Sequence, residues 1–287
     1  MKVVLSPNPY RDKGLKAAQS ARRILQKAGC ECCMCLPFDL ERDSLELPAG
    51  LELLPAEEAF QGADVLICFG GDGTILHAAK AAQEHGLPVL GVNLGSVGFM
   101  AELESAELGL LTRLPEGKYT LEGRMMLEVS VRREGKVLFR DRALNDAVIT
   151  KGAVARIIEL DARADGIPVG KFSGDGLIVA TPTGSTAYSL SSGGPVIEPS
   201  AENILITPIC SHTIQAKSFV LDKARTVTVK LSKMARRTAF LSVDGGKAFR
   251  LGGNDTVELQ MYPEKVKLIR LTNRNFYTVL NQKLGRS

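Results

Sequence analysis

Hydrophobic and polar positions in the first part of the chain alternate between short apolar runs and segments with helical spacing. Apolar runs occupy Lys2 to Ser6, Val65 to Phe69 and Val89 to Val92. Before Ala28, apolar residues recur every three or four positions, which predicts an amphipathic helix, and residues 74–84 predict another. Strands that are apolar on both faces and alternate with helices predict an α/β domain with a parallel sheet.

The pattern changes at about residue 123. Leu127 to Arg132 alternates strictly between apolar and polar residues, and Arg133 to Lys136 predicts a turn that reverses the chain. Short strands with turn signals and few helices predict a β-rich second domain after an α/β domain over residues 1–122. The further strand-like runs are 156–162, 177–180, 226–231, 239–243, 256–261 and 266–271.

Composition narrows the classes of partner. The 287 residues are 45% hydrophobic and 24% charged, which is ordinary for a globular protein. A net charge of +4 suits small anionic substrates. Sparse aromatics, no Trp and no dense Lys/Arg block argue against nucleic-acid and membrane partners. The first eight residues are too short an apolar stretch for a signal peptide, so we expect a cytoplasmic protein.

Four of the six cysteines lie close together, at Cys30, Cys32, Cys33 and Cys35. Four thiolates could bind zinc, but ligands this close in sequence do not easily close a tetrahedron, and no partner CxxC follows. On a second strand near Cys32 to Leu36, Cys30 and Cys32 would face one side and the other two the opposite side. We expect reduced thiols, which fits a reducing compartment.

The sequence Gly70-Gly71-Asp72-Gly73-Thr74 follows the second of these apolar strands and precedes a helix. Glycines allow a sharp turn without a Cβ in the way of a ligand, and the N-terminus of a helix attracts phosphate. A phosphate repels the carboxylate of Asp72, which predicts that this side chain holds a metal ion or accepts a proton. The turn therefore suggests a phosphotransferase; the alternative is a plain connection between strand and helix.

Several familiar motifs are excluded at this turn. No Lys follows the glycines as a Walker loop requires, and Leu76 stands where a dinucleotide fingerprint needs its third glycine. The chain has no HExxH or GxSxG, and its three histidines are scattered.

A second polar region lies at Ser173 to Gly176 and Thr181 to Pro195, on either side of an apolar strand. Nine hydroxyl side chains occur in these two stretches, and we interpret them as a polar lining rather than core. Hydroxyls and backbone amides are what a ribose and a neutral amide require. The alternative is a surface loop rich in side-chain-to-backbone turns.

The order of these motifs resembles that of NAD kinases, and the resemblance runs nearly end to end. Its motifs are Gly70-Gly71-Asp72-Gly73-Thr74, Asn93-x-Gly95-x-x-Gly98-Phe99, Asn145-Asp146 and Asp175-Gly176-x6-Thr183-Gly184-Ser185-Thr186-Ala187-Tyr188. The glycine turn is shared with phosphofructokinases and with diacylglycerol and sphingosine kinases, whereas the hydroxyl-rich stretch is more particular to NAD kinases. The resemblance implies transfer of a phosphoryl group to the 2′-hydroxyl of the adenosine ribose of NAD, giving NADP.

The resemblance also implies roles for matching residues. Asp72 would be the general base, with Gly73 beside it against NAD. Phe99 would stack on the adenine, although a core aromatic is the alternative. Asn145 and Asp146 would bind NAD, and Asp175 would contact its nicotinamide side. The other NAD-binding residues would be Thr183, Thr186, Ala187, Tyr188 and Ser191, and the donor phosphates would lie against Gly70, Gly71, Gly73 and Thr74.

Cofactors and organisation follow from the same resemblance. The donor would be ATP, with polyphosphate open, and Mg²⁺ would bind through the donor phosphates with no protein ligand assigned. The α/β domain would be phosphofructokinase- and diacylglycerol-kinase-like, bind the donor and be joined by a C-terminal tail of about 272–287. Residues 123–271 would bind NAD. The chain would form a homodimer or homotetramer. Asp244 would lie near the donor or a subunit interface, or be an ordinary hairpin residue.

Two other functions stay open from the residues alone. A lipid kinase would share the glycine turn, but it would be expected to show an apolar channel or a membrane-facing patch, and no such run is obvious. A non-catalytic NAD-binding regulator would have no need of a carboxylate in the phosphate turn.

Overall fold

The computed structural model describes residues 1–37, 48, 50–95, 98–152, 157–212, 217–232 and 238–285. The chain folds into two compact units. The first comprises Met1–Gly123 and Val266–Ser287, and the second comprises Arg124–Lys265. Arg156, the predicted start of one strand, lies outside the described residues.

The helices and strands have the following bounds within the described residues. The strands are β1 Lys2–Pro7, β2 Glu31–Met34, β3 Val65–Gly70, β4 Val89–Asn93, β5 Leu103–Glu104, β6 Thr120–Arg124, β7 Leu127–Arg133, β8 Lys136–Ala143, β9 Asp146–Lys151, β10 Ile158–Ala164, β11 Ile167–Gly174, β12 Gly176–Ala180, β13 Asn203–Ile209, β14 Phe219–Asp222, β15 Val227–Leu231, β16 Ala239–Val243, β17 Phe249–Leu251, β18 Thr256–Met261 and β19 Val266–Arg270. The α-helices are α1 Lys16–Lys27, α2 Ala56–Phe60, α3 Asp72–Glu84, α4 Tyr188–Ser191 and α5 Phe276–Leu284, and the 3₁₀ helices are Lys13–Leu15, Ser105–Arg113 and Thr183–Thr186. None of the described helices is both long and apolar enough to span a membrane.

The first unit is built on a largely parallel sheet, as the sequence pattern predicts. Its strand order is β2-β1-β3-β4-β19-β6, with β5 beside β4. The pairs β1–β2, β1–β3, β3–β4, β4–β5 and β4–β19 are all parallel. Every residue of β3 and β4 is buried, which explains their continuous apolar character. The prediction of an α/β domain is confirmed.

The register of the two central strands positions the glycine turn. Gly70 at the end of β3 pairs with Asn93 at the end of β4. Parallel strands deliver their following loops to the same edge of the sheet, where ligands bind in α/β folds. The turn that leads to Asp72 and the loop that carries Phe99 therefore both leave from this edge.

Cys32 and Cys33 lie in β2, which ends at Met34 rather than at the predicted Leu36, and Cys30 and Cys35 flank the strand. Cys30 and Cys35 are buried, and Cys32 and Cys33 are half-buried. All six cysteines are free thiols. Burial raises the pKa of Cys32 and of Cys35 to about 11, so these thiols are protonated at neutral pH.

The second unit consists of two antiparallel sheets, which confirms the β-rich prediction. Their strand orders are β11-β10-β15-β18-β7-β8 and β14-β13-β12-β9-β16-β17. One continuous apolar cluster draws on strands of both sheets, including Val129, Leu160 and Leu177. Strict alternation in β7 buries Leu127, Val129 and Val131 on this core face.

One strand is in a different unit from the one the pattern suggested. The run beginning at Val266 was predicted within the β-rich domain, but β19 pairs with β4 in the parallel sheet, where Leu268 is opposite Val89. A short apolar run carries no information about its partner strand, so only the structure assigns it.

A buried carboxylate fixes the chain that follows β19. Glu102 is fully buried and accepts hydrogen bonds from Leu271 N (2.8 Å), Thr272 N (2.6 Å) and Thr272 Oγ1 (2.7 Å). It also pairs with Arg270 Nη1 at 3.2 Å. A buried charge persists only when it is paired and hydrogen-bonded, and these four donors satisfy that condition.

Replacement of Glu102 by Ala should lower the free energy of unfolding by about 3 kcal/mol, because half-buried Arg270 and the amides of Leu271 and Thr272 lose a buried acceptor. Chemical denaturation of the variant measures this loss. Glu116→Ala is the matched control, since the Glu116–Lys118 pair is exposed and contributes about 0–1 kcal/mol. Equal stability of the two variants would contradict the anchoring role.

Candidate active site

Asp72 is the first residue of α3, directly after the turn at Gly70 and Gly71. Its carboxylate accepts hydrogen bonds from the backbone amides of Phe99 (2.9 Å) and Met100 (3.1 Å). About a third of the side chain remains exposed. A carboxylate has about four acceptor positions, so two amides leave capacity for a further donor.

Glycines permit this close approach between the two loops. A Cβ built on Gly98 would lie 2.3 Å from Asp72 Oδ1. A Cβ on Gly70 would lie 2.4 Å from Thr74 Oγ1. Thr74 is buried, and its hydroxyl accepts a hydrogen bond from Asn8 Nδ2 at 2.9 Å. Gly71 and Gly73 have open space where a Cβ would be, so the N-terminus of α3 is open to a ligand.

Phe99 and the C-terminal helix α5 lie beside Asp72 in the first unit. The Phe99 ring is half-buried and lies 6.0 Å from the ring of Phe276. The ammonium of Lys283 lies 4.3 Å from the centre of the Phe99 ring and 3.7 Å from Asp72 Oδ2. Lys283 carries no signal in the sequence, because it lies more than 200 residues from the glycine turn and belongs to no motif.

In the second unit, Asp244 organises the Asn145-Asp146 motif. Its carboxylate accepts hydrogen bonds from the amides of Leu144 (2.8 Å), Asn145 (2.8 Å) and Asp146 (3.0 Å). Asp244 has a φ of +50° in the tight turn between β16 and β17, in which Gly246 N donates to Val243 O. Asp244 is thus the hairpin residue that the sequence suggested, and its side chain also bonds the backbone of the motif.

Asp146 is buried beside this second carboxylate. Only 6% of its surface is exposed. Burial, and then the negative charge of Asp244, raise the pKa of Asp146 to about 7. The Asp146 carboxyl is therefore partly protonated near neutral pH and is able both to donate and to accept a hydrogen bond.

The hydroxyl-rich stretch divides into buried and accessible residues. Thr181 Oγ1 donates to Leu144 O at 2.5 Å, and Ser185 Oγ donates to Pro182 O at 2.7 Å. The hydroxyls of Ser189 and Thr207 are 2.8 Å apart. Several hydroxyls therefore hold the local backbone, which corrects the interpretation of the whole stretch as a polar lining.

The predicted NAD-binding residues in this stretch differ in exposure. Thr183 is buried, and its hydroxyl accepts a hydrogen bond from buried Arg124 at 3.3 Å. Thr186 and Ala187 are half-buried. Tyr188 and Ser191 are exposed. These residues lie on the short helices Thr183–Thr186 and Tyr188–Ser191, with Ala187 between the two helices. Gly184 is required in the first of them, because a Cβ there would lie 2.1 Å from Asn145 O.

Asp175 lies apart from Asn145 and Asp146 within the second unit. β12 begins at Gly176, opposite Thr150, and ends at Ala180, opposite Asp146. The four steps from Gly176 to Ala180 separate the two ends of the strand by about 13 Å. The Asp175 carboxylate instead forms an ion pair with Lys151 Nζ at 2.6 Å.

Comparison with known proteins identifies the class. The ATP-NAD kinase N-terminal domain model matches residues 4–119, and the ATP-NAD kinase C-terminal domain model matches residues 144–271. An NAD kinase of Ruminiclostridium cellulolyticum is 37% identical over 285 residues, covering 99% of this chain and 97% of the relative. An NAD kinase of Symbiobacterium thermophilum is 44% identical, covering 80% of this chain and 82% of the relative.

A solved structure supports the same class of protein. The crystal structure of yeast NADH kinase complexed with NADH superimposes with a TM-score of 0.85 at 26% identity, covering 99% of this chain and 87% of that chain. The chain belongs to the NAD kinase family and is a kinase. The resemblance stated from the motifs is confirmed.

The raised pKa of Asp146 predicts a pH-dependent stability. The ordinary value is 3.8, so the folded protein binds this proton more tightly than the unfolded chain. The stabilisation is fully present below pH 3.8 and is lost as the pH rises through about 7. The unfolding temperature of wild type should therefore fall more from pH 5 to pH 8 than that of Asp146→Asn.

The control for this comparison is Asp222→Asn, which changes an exposed carboxylate of the same unit. It should keep the wild-type dependence. An Asp146→Asn variant with the same pH slope as wild type would show that Asp146 does not titrate in this range.

Proposed function

We propose that the chain transfers the γ-phosphoryl group of ATP to the 2′-hydroxyl of the adenosine ribose of NAD, giving NADP and ADP. One observation carries the proposal: the Asp72 carboxylate is held by two backbone amides at the open N-terminus of α3. The family models support it, since their descriptions name ATP and NAD. The yeast relative complexed with NADH makes NADH a second acceptor to test.

Asp72 acts as the general base. Its free acceptor position takes the proton of the 2′-hydroxyl as the oxygen forms a bond to the γ-phosphorus. The bond from that phosphorus to its bridging oxygen breaks, and ADP leaves with the electron pair. Positioning of the reactants supplies most of the remaining acceleration.

A divalent cation, Mg²⁺, would enter with the donor. The described residues contain no group of three or more His, Cys, Asp or Glu side chains that could hold a metal ion. A cation bound through the phosphates of ATP fits this donor set better than one held by the protein. It would supply neutralisation of phosphate charge.

The other parts of the proposal follow the family. Asn145, Asp146, Thr183, Thr186, Ala187, Tyr188 and Ser191 would bind NAD, with Asp175 on the nicotinamide side. The Thr183 hydroxyl accepts a hydrogen bond from Arg124, which leaves its own proton available to donate to NAD. Polyphosphate is a further candidate donor. A cytoplasmic homodimer or homotetramer completes the proposal.

Incubation of the purified protein with NAD, ATP and Mg²⁺ tests the function directly. We expect NADP, detected with an NADP-specific dehydrogenase, and the same assay with NADH tests the reduced acceptor. Phosphorylation of diacylglycerol or sphingosine without NADP would indicate a lipid kinase. Binding of NAD without any product would indicate a regulator.

Replacement of Asp72 by Asn should lower kcat by about 10²–10⁴-fold while NAD still binds, because the amide cannot take the proton. Steady-state kinetics and calorimetric titration with NAD measure the two effects. Asp64→Asn is the control, since Asp64 is an exposed carboxylate of the same unit that bonds Lys2 N. Unchanged turnover in the Asp72 variant would rule out this base.

A further inference from the structure

Lys283 lies at the carboxylate that the proposed reaction uses. Its Nζ is 3.7 Å from Asp72 Oδ2, and it lies over the face of the Phe99 ring. The side chains of Lys283 and Asp72 are each about a third exposed. The sequence offers no lysine in the glycine turn, so this ammonium is a positive charge brought to the turn from the other end of the chain.

The spacing of residues on α5 explains how Lys283 reaches this place. Phe276 and Lys283 are seven residues apart, so they project from the same face of the helix, with buried Val279 between them. Both contact Phe99, at 6.0 Å between ring centres and 4.3 Å from the ammonium. Asn275 caps the helix by accepting a hydrogen bond from Tyr277 N.

The chain before α5 is held firmly. Glu102 binds the backbone of Leu271 and Thr272, and Arg274 pairs with Glu104 at 3.4 Å and Glu107 at 3.1 Å. This network lies in the first unit and fixes the start of the helix. Lys283 is therefore placed by a preformed structure and not by a freely moving tail.

The ion pair between Lys283 and Asp72 contributes little to the stability of the fold. At 3.7 Å the two atoms are beyond hydrogen-bond distance, and partly exposed pairs contribute about 0–1 kcal/mol. An ammonium carries three donors, and no hydrogen bond from Lys283 occurs to the described residues. The ammonium thus keeps its donors available for an anion beside Asp72.

We propose that Lys283 binds the phosphoryl group that is transferred. The inference rests on the proposed function and deepens it. A phosphate placed for transfer beside Asp72 is repelled by the Asp72 carboxylate. The Lys283 ammonium lies within 4 Å of this carboxylate and offsets the repulsion. Lys283 neither gives nor takes a proton in the step; it lowers the energy of two negative groups held together.

Titration of ATP and Mg²⁺ into the purified protein, followed by calorimetry, tests this assignment. Lys283→Met should weaken ATP binding by about 10- to 100-fold, the effect of losing a charge-assisted hydrogen bond. Lys283→Arg should retain most of the affinity, because it keeps the charge. Affinity for NAD and the unfolding temperature should be unchanged in both variants.

Lys27→Met is the matched control, since Lys27 is an exposed lysine in the last turn of α1 in the same unit. It should bind ATP as wild type does. Wild-type ATP affinity in Lys283→Met would overturn the assignment. So would an equal loss of ATP and NAD affinity, which would indicate a structural role.

The titration separates this inference from the proposed function. If wild type binds ATP but forms no NADP, the proposed function fails and the affinity comparison still decides the role of Lys283. If wild type forms NADP and Lys283→Met binds ATP normally, only the role of Lys283 fails. Wild type that binds neither ATP nor inorganic tripolyphosphate would also overturn the inference.

Discussion

The hydrogen bonds from Phe99 N and Met100 N to the Asp72 carboxylate are the constraint on which the first unit's site depends. They join the loop after β3 to the loop after β4, which the parallel register has already brought to one edge. Gly98 is required there, because a Cβ would lie 2.3 Å from the carboxylate. The same interaction therefore fixes the direction of the acidic side chain and the position of the aromatic ring beside it.

The second unit also contains a carboxylate that is bonded to backbone amides, and there a neighbouring aspartate has a raised pKa. The Asp244 carboxylate also accepts hydrogen bonds from several backbone amides, and these bonds fix the backbone around Asn145 and Asp146. Burial of Asp146, and then the negative charge of Asp244, raise the pKa of Asp146. One aspartate is thus structural, and its neighbour is left to titrate near neutral pH.

The sequence predicted the features that are local or periodic. Glycine spacing located the turn at Asp72, and apolar runs located β3 and β4, because both signals arise from neighbouring residues. Lys283 and β19 were missed or misplaced, since their partners are distant in the chain. Burial of Thr181 was also missed, because a hydroxyl that bonds a buried backbone carbonyl looks the same in sequence as one that faces a ligand.

The central claim is that the Asp72 carboxylate takes the proton of the ribose hydroxyl. The most direct measurement is a crystal structure with NAD and a non-hydrolysable ATP analogue both bound. We expect a carboxylate oxygen of Asp72 within about 2.6–3.2 Å of the 2′-oxygen, or one water away, with the terminal phosphate of the analogue facing the 2′-oxygen. A carboxylate turned away from the ribose in the occupied complex, with no bridging water, would contradict it.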